Sequence, residues 1–349
     1  MEKQKIIMSD HILQAIDNAV KECEHDKLFV LMDEATERLC LPVVKDSEWI
    51  RQAHPVVIMA GDTHKDLEAL SHVWSELGQH GGTRHSLLIN LGGGMVTDLG
   101  GFAASTFKRG IQFINIPTTL LSMVDASVGG KTGINFNGLK NEIGVFNNAQ
   151  CVILDTEFLK TMDRENLCSG YAEMIKHGLI YDPVMWSQLM DFDIWTPDFK
   201  LLQDMVKASV GVKEVFVLRD PLEKGMRKAL NFGHTFGHAF ESFAMRHKPI
   251  LHGYAVAYGM VCELYLSAKK TGFPTQQLHQ TVHYIKDHYG KMGITCDDYP
   301  ELLELMTHDK KNIAGIINFT LLSGFGQIKI NQKATQEEIY EALDFYREG

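Results

Sequence analysis

The sequence predicts an α/β fold in which a parallel sheet in the N-terminal half is followed by a mostly α-helical C-terminal half. In the first half, short β-branched runs alternate with helical patterns, as is typical of parallel sheets with crossover helices. After a short strand near residue 151, the pattern is helical to about residue 289. We therefore predict two domains, residues 1–160 and residues 161–349.

The composition is that of an ordinary globular protein, with 45% hydrophobic and 22% charged residues. The formal net charge is −10 and no basic arm is visible, so nucleic acid and membranes are not expected partners. No apolar run reaches the ~18 residues of a membrane span, and the first residues lack a signal-peptide pattern. The six cysteines lie far apart, which favours reduced thiols and a cytoplasmic location.

Three predicted strands of the first half, residues 28–32, 55–60 and 86–91, end in polar or glycine-rich sequence. They lead into Asp33, Gly61-Asp62 and Gly92-Gly93-Gly94. Because ligands of open α/β sheets bind beyond the carboxyl ends of the strands, we expect a cofactor there. The glycine run precedes a small-residue helix whose N-terminus suits a pyrophosphate. A tight turn without a ligand explains the same glycines equally well.

A glycine-rich segment follows the next predicted strand, residues 112–116. It places Asp125, Lys131, Lys140 and Asn141 among few apolar anchors. Segments of this kind are predicted as loops, and loops on a rigid scaffold often carry function. The alternative is a solvated loop with scattered charges.

The most informative stretch is residues 227–252. Read as one helix, its first part places a cation, an amide, two imidazoles and a carboxylate on one stripe: Arg227, Asn231, His234, His238 and Glu241. The opposite face is apolar, so the helix is predicted to be buried with its polar stripe facing an enclosed cleft.

Histidines in this stretch suggest a metal site. His234 and His238 are one helical turn apart, and His252 begins a new helical pattern after Pro249. A catalytic zinc site needs three protein ligands, and Glu173, among buried-looking neighbours, is the best placed carboxylate. A surface histidine pair and a simple Glu173–Lys176 helix ion pair remain alternatives, and the residues alone do not choose among the three imidazoles.

Five motifs occur in order along the chain. They are G-G-G-x-x-x-D at residues 92–98, K-R-G at 108–110, P-T-T-L-L-x-x-V-D-A-S-V-G-G-K-T-G-I-N at 117–135, A-E-x-I-K-H-G at 172–178 and L-N-F-G-H-T-F-G-H-A at 230–239. Through these motifs the chain, from about residue 33 to residue 311, resembles the 3-dehydroquinate synthase family of sugar-phosphate cyclases.

The resemblance implies a Rossmann-like NAD-binding domain followed by a helical metal- and substrate-binding domain. It implies conversion of 3-deoxy-D-arabino-heptulosonate 7-phosphate to 3-dehydroquinate and phosphate, in the shikimate pathway. The steps would be transient NAD-dependent oxidation, phosphate elimination, re-reduction and intramolecular aldol closure. The implied cofactors are NAD and one divalent metal ion, Zn²⁺ or Co²⁺. The implied partners are a small anionic sugar phosphate and a second copy of the chain in a homodimer.

The resemblance also implies roles for individual residues. The metal ligands would be Glu173, His234 and His252. The catalytic group would comprise His238, Lys131, Glu223, Arg227 and Asn231. Substrate would meet Asp125, Lys131, Lys140, Asn141, Lys176, Lys213, Arg227, Asn231, His238, Lys310, Lys311 and, from a second subunit, Arg109. NAD would be held by Asp33, Asp62, Lys65, Gly93, Gly94, Met95, Asp98, Thr118, Thr119, Asp125, Lys131, Lys140, Phe158 and Thr161.

Three positions depart from the family pattern. Asp62 stands where Glu is common, Thr97 where Gly is common, and Glu142 adds an acid beside Lys140 and Asn141. Another sugar-phosphate cyclase activity is the leading alternative, followed by a metal-dependent polyol or alcohol dehydrogenase. A non-catalytic NAD-binding sensor is a third, and an intact three-ligand metal set argues against it.

Overall fold

The computed structural model describes residues 3–307 and 317–349, which form two compact units. The first unit comprises the chain up to Asp163 together with Asp198–Val210. The second comprises Arg164–Pro197 and Gly211–Gly349. The two domains predicted from the sequence, with a boundary at residue 160, remain a prediction.

The first unit contains a sheet, a hairpin and the helices that cover them. Its strands are β1 (Ile6–Met8), β2 (Leu28–Asp33), β3 (His54–Ile58), β4 (Leu87–Gly92), β5 (Gln112–Pro117), β6 (Lys131–Phe136), β7 (Leu139–Phe146) and β8 (Val152–Leu154). Its helices are α1 (Ile12–Lys21), α2 (Glu34–Leu39), α3 (Leu41–Val44), α4 (Leu67–Gln79) and α5 (Gly94–Thr106).

Six of these strands form one parallel sheet in the order β1-β8-β5-β4-β2-β3. β2 and β4 are buried along their whole length, as expected for strands with helices on both faces. The predicted α/β class with a parallel sheet is therefore confirmed. The chain leaves β2 toward β3 and then returns to the other side of β2 at β4, so a topological switch point lies between β2 and β4.

The segment predicted as a glycine-rich loop is more ordered than the sequence suggested. Residues Ser122–Ala126 form one π-helical turn, and β6 pairs with β7 as an antiparallel hairpin. The loop prediction was wrong because it counted apolar anchors within the segment alone. The anchors come from outside: Ile134 joins the core of the first unit, and Thr132 packs within 2.5 Å of the position a Cβ would take on Gly101 of α5.

The second unit is mostly helical. Its elements are α6 (Arg164–Tyr181), α7 (Pro183–Asp191), α8 (Phe199–Arg219, which begins in the first unit), α9 (His234–Arg246), α10 (His252–Thr271), α11 (Thr275–Tyr289), α12 (Tyr299–Thr307), β9 (Phe319–Gly324), β10 (Gln327–Gln332) and α13 (Gln336–Glu348). Helix α10 lies at the centre and packs against α6, α9, α11 and α13. A capping box between Thr335 and Glu338 begins the last helix.

The continuous helix read through Arg227 and His234 is not formed. Residues Met226–Asn231 make a 3₁₀ turn, Gly233 takes the left-handed conformation with φ 81°, and α9 begins only at His234. A left-handed residue interrupts the helical hydrogen-bond ladder, which is why glycine occupies it. The apolar face is buried as predicted, including Phe232, Phe236 and Phe240.

Among the described residues, no helix combines the length and apolar character needed to cross a membrane. All six cysteines are free thiols, five of them buried and Cys296 exposed.

Candidate active site

Three residues of the second unit bring metal-ligating atoms to one point. Glu173 lies in the middle of α6, whereas His234 and His252 are the first residues of α9 and α10. Oε1 of Glu173 lies 3.4 Å from Nε2 of His234 and 3.5 Å from Nε2 of His252. The structure thus brings together the carboxylate and the two imidazoles named from the sequence.

The spacing of these atoms fits a tetrahedral ion. Two donors bound about 2.1 Å from one tetrahedral ion lie roughly 3.4 Å apart, and two imidazole ligands have ring centroids roughly 5 Å apart. The centroids of His234 and His252 are 5.5 Å apart. Oε1 of Glu173 is fully buried without a hydrogen-bond partner among the described groups. A buried carboxylate oxygen in this position is explained by a bound cation.

Neighbouring charges shift the pKa values of Glu173 and His252. Burial alone would raise the pKa of Glu173, but the charges of Lys176 and His234 outweigh it and hold the pKa well below its usual range. Burial would lower the pKa of His252, yet the carboxylates of Glu241 and Glu173 raise it to about 10. The carboxylate is therefore ionised, and coordination of a metal ion by His252 would require this imidazole to lose its proton.

Two further contacts orient the imidazoles. Nδ1 of His252 lies 3.3 Å from Oε2 of Glu241, and Nδ1 of His234 lies 3.1 Å from the carbonyl oxygen of Phe232. Because a carbonyl oxygen only accepts, Nδ1 of His234 carries the hydrogen and Nε2 keeps its lone pair for the ion. Such outer contacts commonly orient metal-binding histidines.

Glu263 is a buried residue that the sequence reasoning missed. Helix α9 has no side-chain cap of its own, and Glu263 of α10 supplies one from outside. The Gly233 N–H donates to Oε2 (2.7 Å) and the Thr235 N–H donates to Oε1 (3.0 Å). The carboxylate therefore holds the first turn of α9, where His234 projects. The signal available in the sequence is one acid within the apolar run M-V-C-E-L-Y-L.

Replacing Glu263 with Gln is expected to lower the free energy of unfolding by about 1–3 kcal/mol, because an amide NH₂ would face a backbone N–H donor in a buried place. Zinc affinity is expected to fall with it, since the first turn of α9 loosens around His234. Urea unfolding and a zinc titration with a competing chelator measure both effects.

Glu301→Gln is the matched control for Glu263→Gln. Glu301 also contacts α9, but through an exposed pair with Arg246 at 2.7 Å. Exposed pairs are worth less than about 1 kcal/mol, so this variant should change neither quantity. Equal effects from the two variants would refute the capping role of Glu263.

Other residues predicted at the site lie in the same unit as the ligands. The His238 ring is partly exposed, 5.3 Å from the His234 ring. Lys176, Lys213 and Arg227 are buried cations, and Lys176 contacts Oε2 of Glu173. The ion pair read as an alternative in α6 thus coexists with the three-ligand cluster.

The segment before α9 carries two further predicted residues. Asn231 donates to Oε1 of Glu223 (2.8 Å), and Glu223 has φ 57°, unusual for a residue other than glycine. Residues held in this region often mark functional positions. Arg227 donates to the carbonyl oxygen of Pro221 (2.7 Å), which anchors its guanidinium.

The first unit contains the residues predicted to bind NAD. Asp33 ends β2, and Gly93, Gly94 and Met95 follow β4 as the N-cap and first two residues of α5, so both stand at the switch point of the sheet. Gly93 is the N-cap of α5 and makes no side-chain cap hydrogen bond, which leaves the first N–H groups of this 13-residue helix to a ligand. Oδ1 of Asp33 accepts from the Thr36 N–H (2.7 Å), so that oxygen already caps α2.

A polar network joins the loop after β3 to the hairpin. Lys65, which is buried, contacts Asp98 of α5 (3.0 Å) and donates to Asn141 of β7. Lys140 pairs with Asp62 at 3.0 Å. The structure therefore brings five of the predicted cofactor and substrate residues together within the first unit.

The remaining predicted residues differ in their exposure. Thr118 and Phe158 are buried, Asp125, Thr119 and Thr161 are partly buried, and Lys131 is exposed at the start of β6. Arg109 is exposed with φ 72° in a turn where Lys108 and Gly110 also have positive φ. Lys310 and Lys311 lie outside the described residues.

Comparisons with known proteins agree along the whole chain. Residues 55–169 match the family model for the 3-dehydroquinate synthase N-terminal domain, and residues 170–312 match the model for the C-terminal domain. A 3-dehydroquinate synthase from Parabacteroides distasonis is 54% identical over 350 residues, which covers 100% of this chain and 99% of the relative.

Two solved structures share the fold. A 2-epi-5-epi-valiolone synthase from Streptomyces hygroscopicus, with NAD⁺ and Zn²⁺ bound, has a TM-score of 0.84 and 24% identity, covering 100% of this chain and 98% of that one. A 2-deoxy-scyllo-inosose synthase complexed with carbaglucose-6-phosphate, NAD⁺ and Co²⁺ has a TM-score of 0.84 and 21% identity, covering 99% of this chain and 96% of that one.

Proposed function

The chain belongs to the 3-dehydroquinate synthase family, and from this premise we propose how its residues perform that enzyme's reaction. The enzyme converts 3-deoxy-D-arabino-heptulosonate 7-phosphate to 3-dehydroquinate and phosphate. One observation supports the assignment of residues most strongly: Glu173, His234 and His252 converge around one point, and the Oε1 atom of Glu173 is fully buried there.

The proposed cofactors are NAD and one divalent metal ion, Zn²⁺ or Co²⁺. When bound, NAD accepts and returns a hydride, and the metal ion acts as a Lewis acid. We assign the metal ion to Glu173, His234 and His252, whose spacing fits tetrahedral coordination. We assign NAD to the switch point of the sheet, where Asp33 and the open N-terminus of α5 suit a ribose and a pyrophosphate.

The substrate is recognised by charge. It carries a carboxylate and a phosphate, whereas the whole chain has a formal net charge of −10, so binding needs local cations. Lys176, Lys213 and Arg227 are three cations buried in the second unit, and an anionic ligand lowers the desolvation penalty of such groups. The proposed set continues with Lys131, Lys140 and Asn141 of the hairpin, and with Asp125, Lys310 and Lys311.

Proton movements are assigned to His238 and its neighbours. The ring of His238 is partly exposed beside the candidate ligands, and an imidazole exchanges protons near neutral pH. Asn231 and Glu223 are hydrogen-bonded to each other and lie four positions after and before Arg227 in the sequence. Lys131 supplies a positive charge for an oxyanion that develops on the substrate.

We propose that the enzyme is a homodimer in which Arg109 of each chain contacts the substrate bound to the other chain. The hairpin supports this proposal, because Leu139, Ile143 and Val145 of β7 are all at least 38% exposed. An exposed apolar strand is an expected interaction surface. Sedimentation as a monomer at assay concentrations would refute it.

We place the enzyme in the cytoplasm. Six free thiols suit a reducing compartment, and a periplasmic or secreted pool found by cell fractionation would contradict this location.

Phosphate release tests the reaction. With NAD supplied, the purified enzyme is expected to release phosphate from the heptulosonate phosphate with no net change in nicotinamide absorbance, because the hydride returns to the product. A chelator should abolish the release, and added Zn²⁺ or Co²⁺ should restore it.

The same assay distinguishes the alternatives. Release from sedoheptulose 7-phosphate alone would indicate another sugar-phosphate cyclase. Steady accumulation of NADH with a simple polyol would indicate a dehydrogenase, a class that shares the glycine turn and the helical metal-binding half.

A further inference from the structure

We propose that His54, Glu76 and His80 form a second metal site, for a divalent transition ion such as Zn²⁺. These residues, called here the edge cluster, belong to the first unit and share no residue with the site already described. The proposal is independent of the catalytic assignment, and it concerns a peripheral site that ties an edge strand to a helix.

The edge cluster draws its donors from two elements packed against each other. His54 is the first residue of β3, the edge strand of the sheet, and Glu76 lies in α4. His80 is the C-cap of α4, four residues after Glu76, so both project from the same side of the helix. An ion held by all three would fix the last turn of α4 to the start of β3.

The donor atoms converge on one carboxylate oxygen. Nε2 of His54 lies 3.3 Å from Oε2 of Glu76, and Nε2 of His80 lies 3.5 Å from the same atom. All three donors lie within 4.8 Å of one another. Two imidazoles and one carboxylate form a donor set that proteins use for Zn²⁺. The side chains are 26–45% exposed, so an ion reaches them directly from solvent.

The distance between the two imidazole rings determines the affinity that we expect for the metal ion. The rings of His54 and His80 are stacked, with centroids 3.6 Å apart and planes at 24°. Two imidazoles on one tetrahedral ion need centroids roughly 5 Å apart, so the rings must separate by about 1.5 Å. His54 is held by edge contact with Phe29 (5.8 Å), and the exposed His80 ring at the end of α4 is the one that moves. We therefore expect an affinity at least about tenfold weaker than that of the buried site.

The site lies away from the predicted cofactor position. His54 stands at the amino end of β3, whereas the loop with Asp62 and Lys65 follows its carboxyl end. Occupation is therefore expected to stabilise the first unit by mass action without changing the rate of catalysis.

Zinc titration of the full-length enzyme tests the proposal. Equilibrium dialysis against Zn²⁺ alone should give two equivalents per chain for the wild type and one for His80→Gln and for His54→Gln. The rise in Tm that wild type shows with the second equivalent should disappear in both variants. Phosphate release at saturating zinc should stay unchanged in His80→Gln, which also shows that this variant is folded.

His283→Gln is the matched control. His283 is an exposed histidine paired with a carboxylate four residues away, Asp287 at 3.1 Å, and this pair has no third donor in the part of the chain that the structure describes. The control should keep both equivalents. A His80→Gln variant that binds as many equivalents as wild type would overturn the edge cluster as a metal site.

Discussion

Replacing Glu173 with Gln is expected to remove the bound metal ion and to lower kcat about 1,000-fold, because Lewis-acid stabilisation is worth several kcal/mol. The amide has the same shape but no charge. It also leaves the ammonium of Lys176, 1% exposed, without its buried carboxylate partner. Breaking a buried pair by removing one partner costs about 3–5 kcal/mol, so the variant should also unfold at lower urea concentration.

Three measurements separate the loss of metal from general unfolding. Metal content per chain is read by elemental analysis, folding by circular dichroism, and NAD affinity by fluorescence titration. Glu341→Gln is the control, because Glu341 also contacts a lysine, Lys269, but at the surface. It should keep its metal ion and its rate. A Glu173→Gln variant with one equivalent of metal and normal phosphate release would end the proposed ligand assignment.

Replacing Gly253 with Ala is expected to lower the free energy of unfolding by at least about 2 kcal/mol and kcat by about 100-fold. A Cβ on Gly253 would lie 1.8 Å from the carbonyl oxygen of Ser169. That oxygen belongs to the backbone of α6, so a backbone has to move to make room. Gly253 follows His252 directly, and a shift of about 1 Å in a catalytic group commonly costs about 100-fold in rate.

Gly211→Ala is the matched control for the packing argument. Gly211 also lies inside a helix, α8, but a Cβ there meets no atom within 4 Å. Alanine in an open helix position stabilises by up to about 1 kcal/mol relative to glycine. Urea unfolding should therefore show opposite effects for the two variants, and phosphate release should fall in Gly253→Ala but not in Gly211→Ala. A Gly253→Ala enzyme as stable and active as wild type would contradict the close approach of α6 and α10.

The nature of the sheet was predictable because its signal is local. The strands predicted at residues 28–32, 55–60 and 86–91 are short apolar runs bounded by turn residues, and the polar residues Asp33 and Asp62 follow these runs in the sequence. The five motifs added the reaction and the expected ligand set only through the resemblance to a known family that they carry. The α/β fold class and the family named from them are confirmed.

The helix read through Arg227 shows where periodicity fails. An ideal continuous helix would place these residues on one stripe, but Gly233 takes φ 81° and divides the stretch into a 3₁₀ turn and a helix. The hairpin was missed for a related reason, because its packing partners lie in α5 and the core and not within the segment.

The sequence by itself determined the fold class, the residue types of the site and the chemistry that they support. Only the tertiary structure decided which donors meet at one point, that Glu263 caps α9 from another helix, and that His54 and His80 share one carboxylate oxygen. The physical reason is range. Secondary-structure patterns depend on neighbours a few residues apart, whereas His54 and Glu76 are 22 positions apart and Thr235 and Glu263 are 28 positions apart. His80 is close to Glu76 in sequence, but its position depends on where α4 ends.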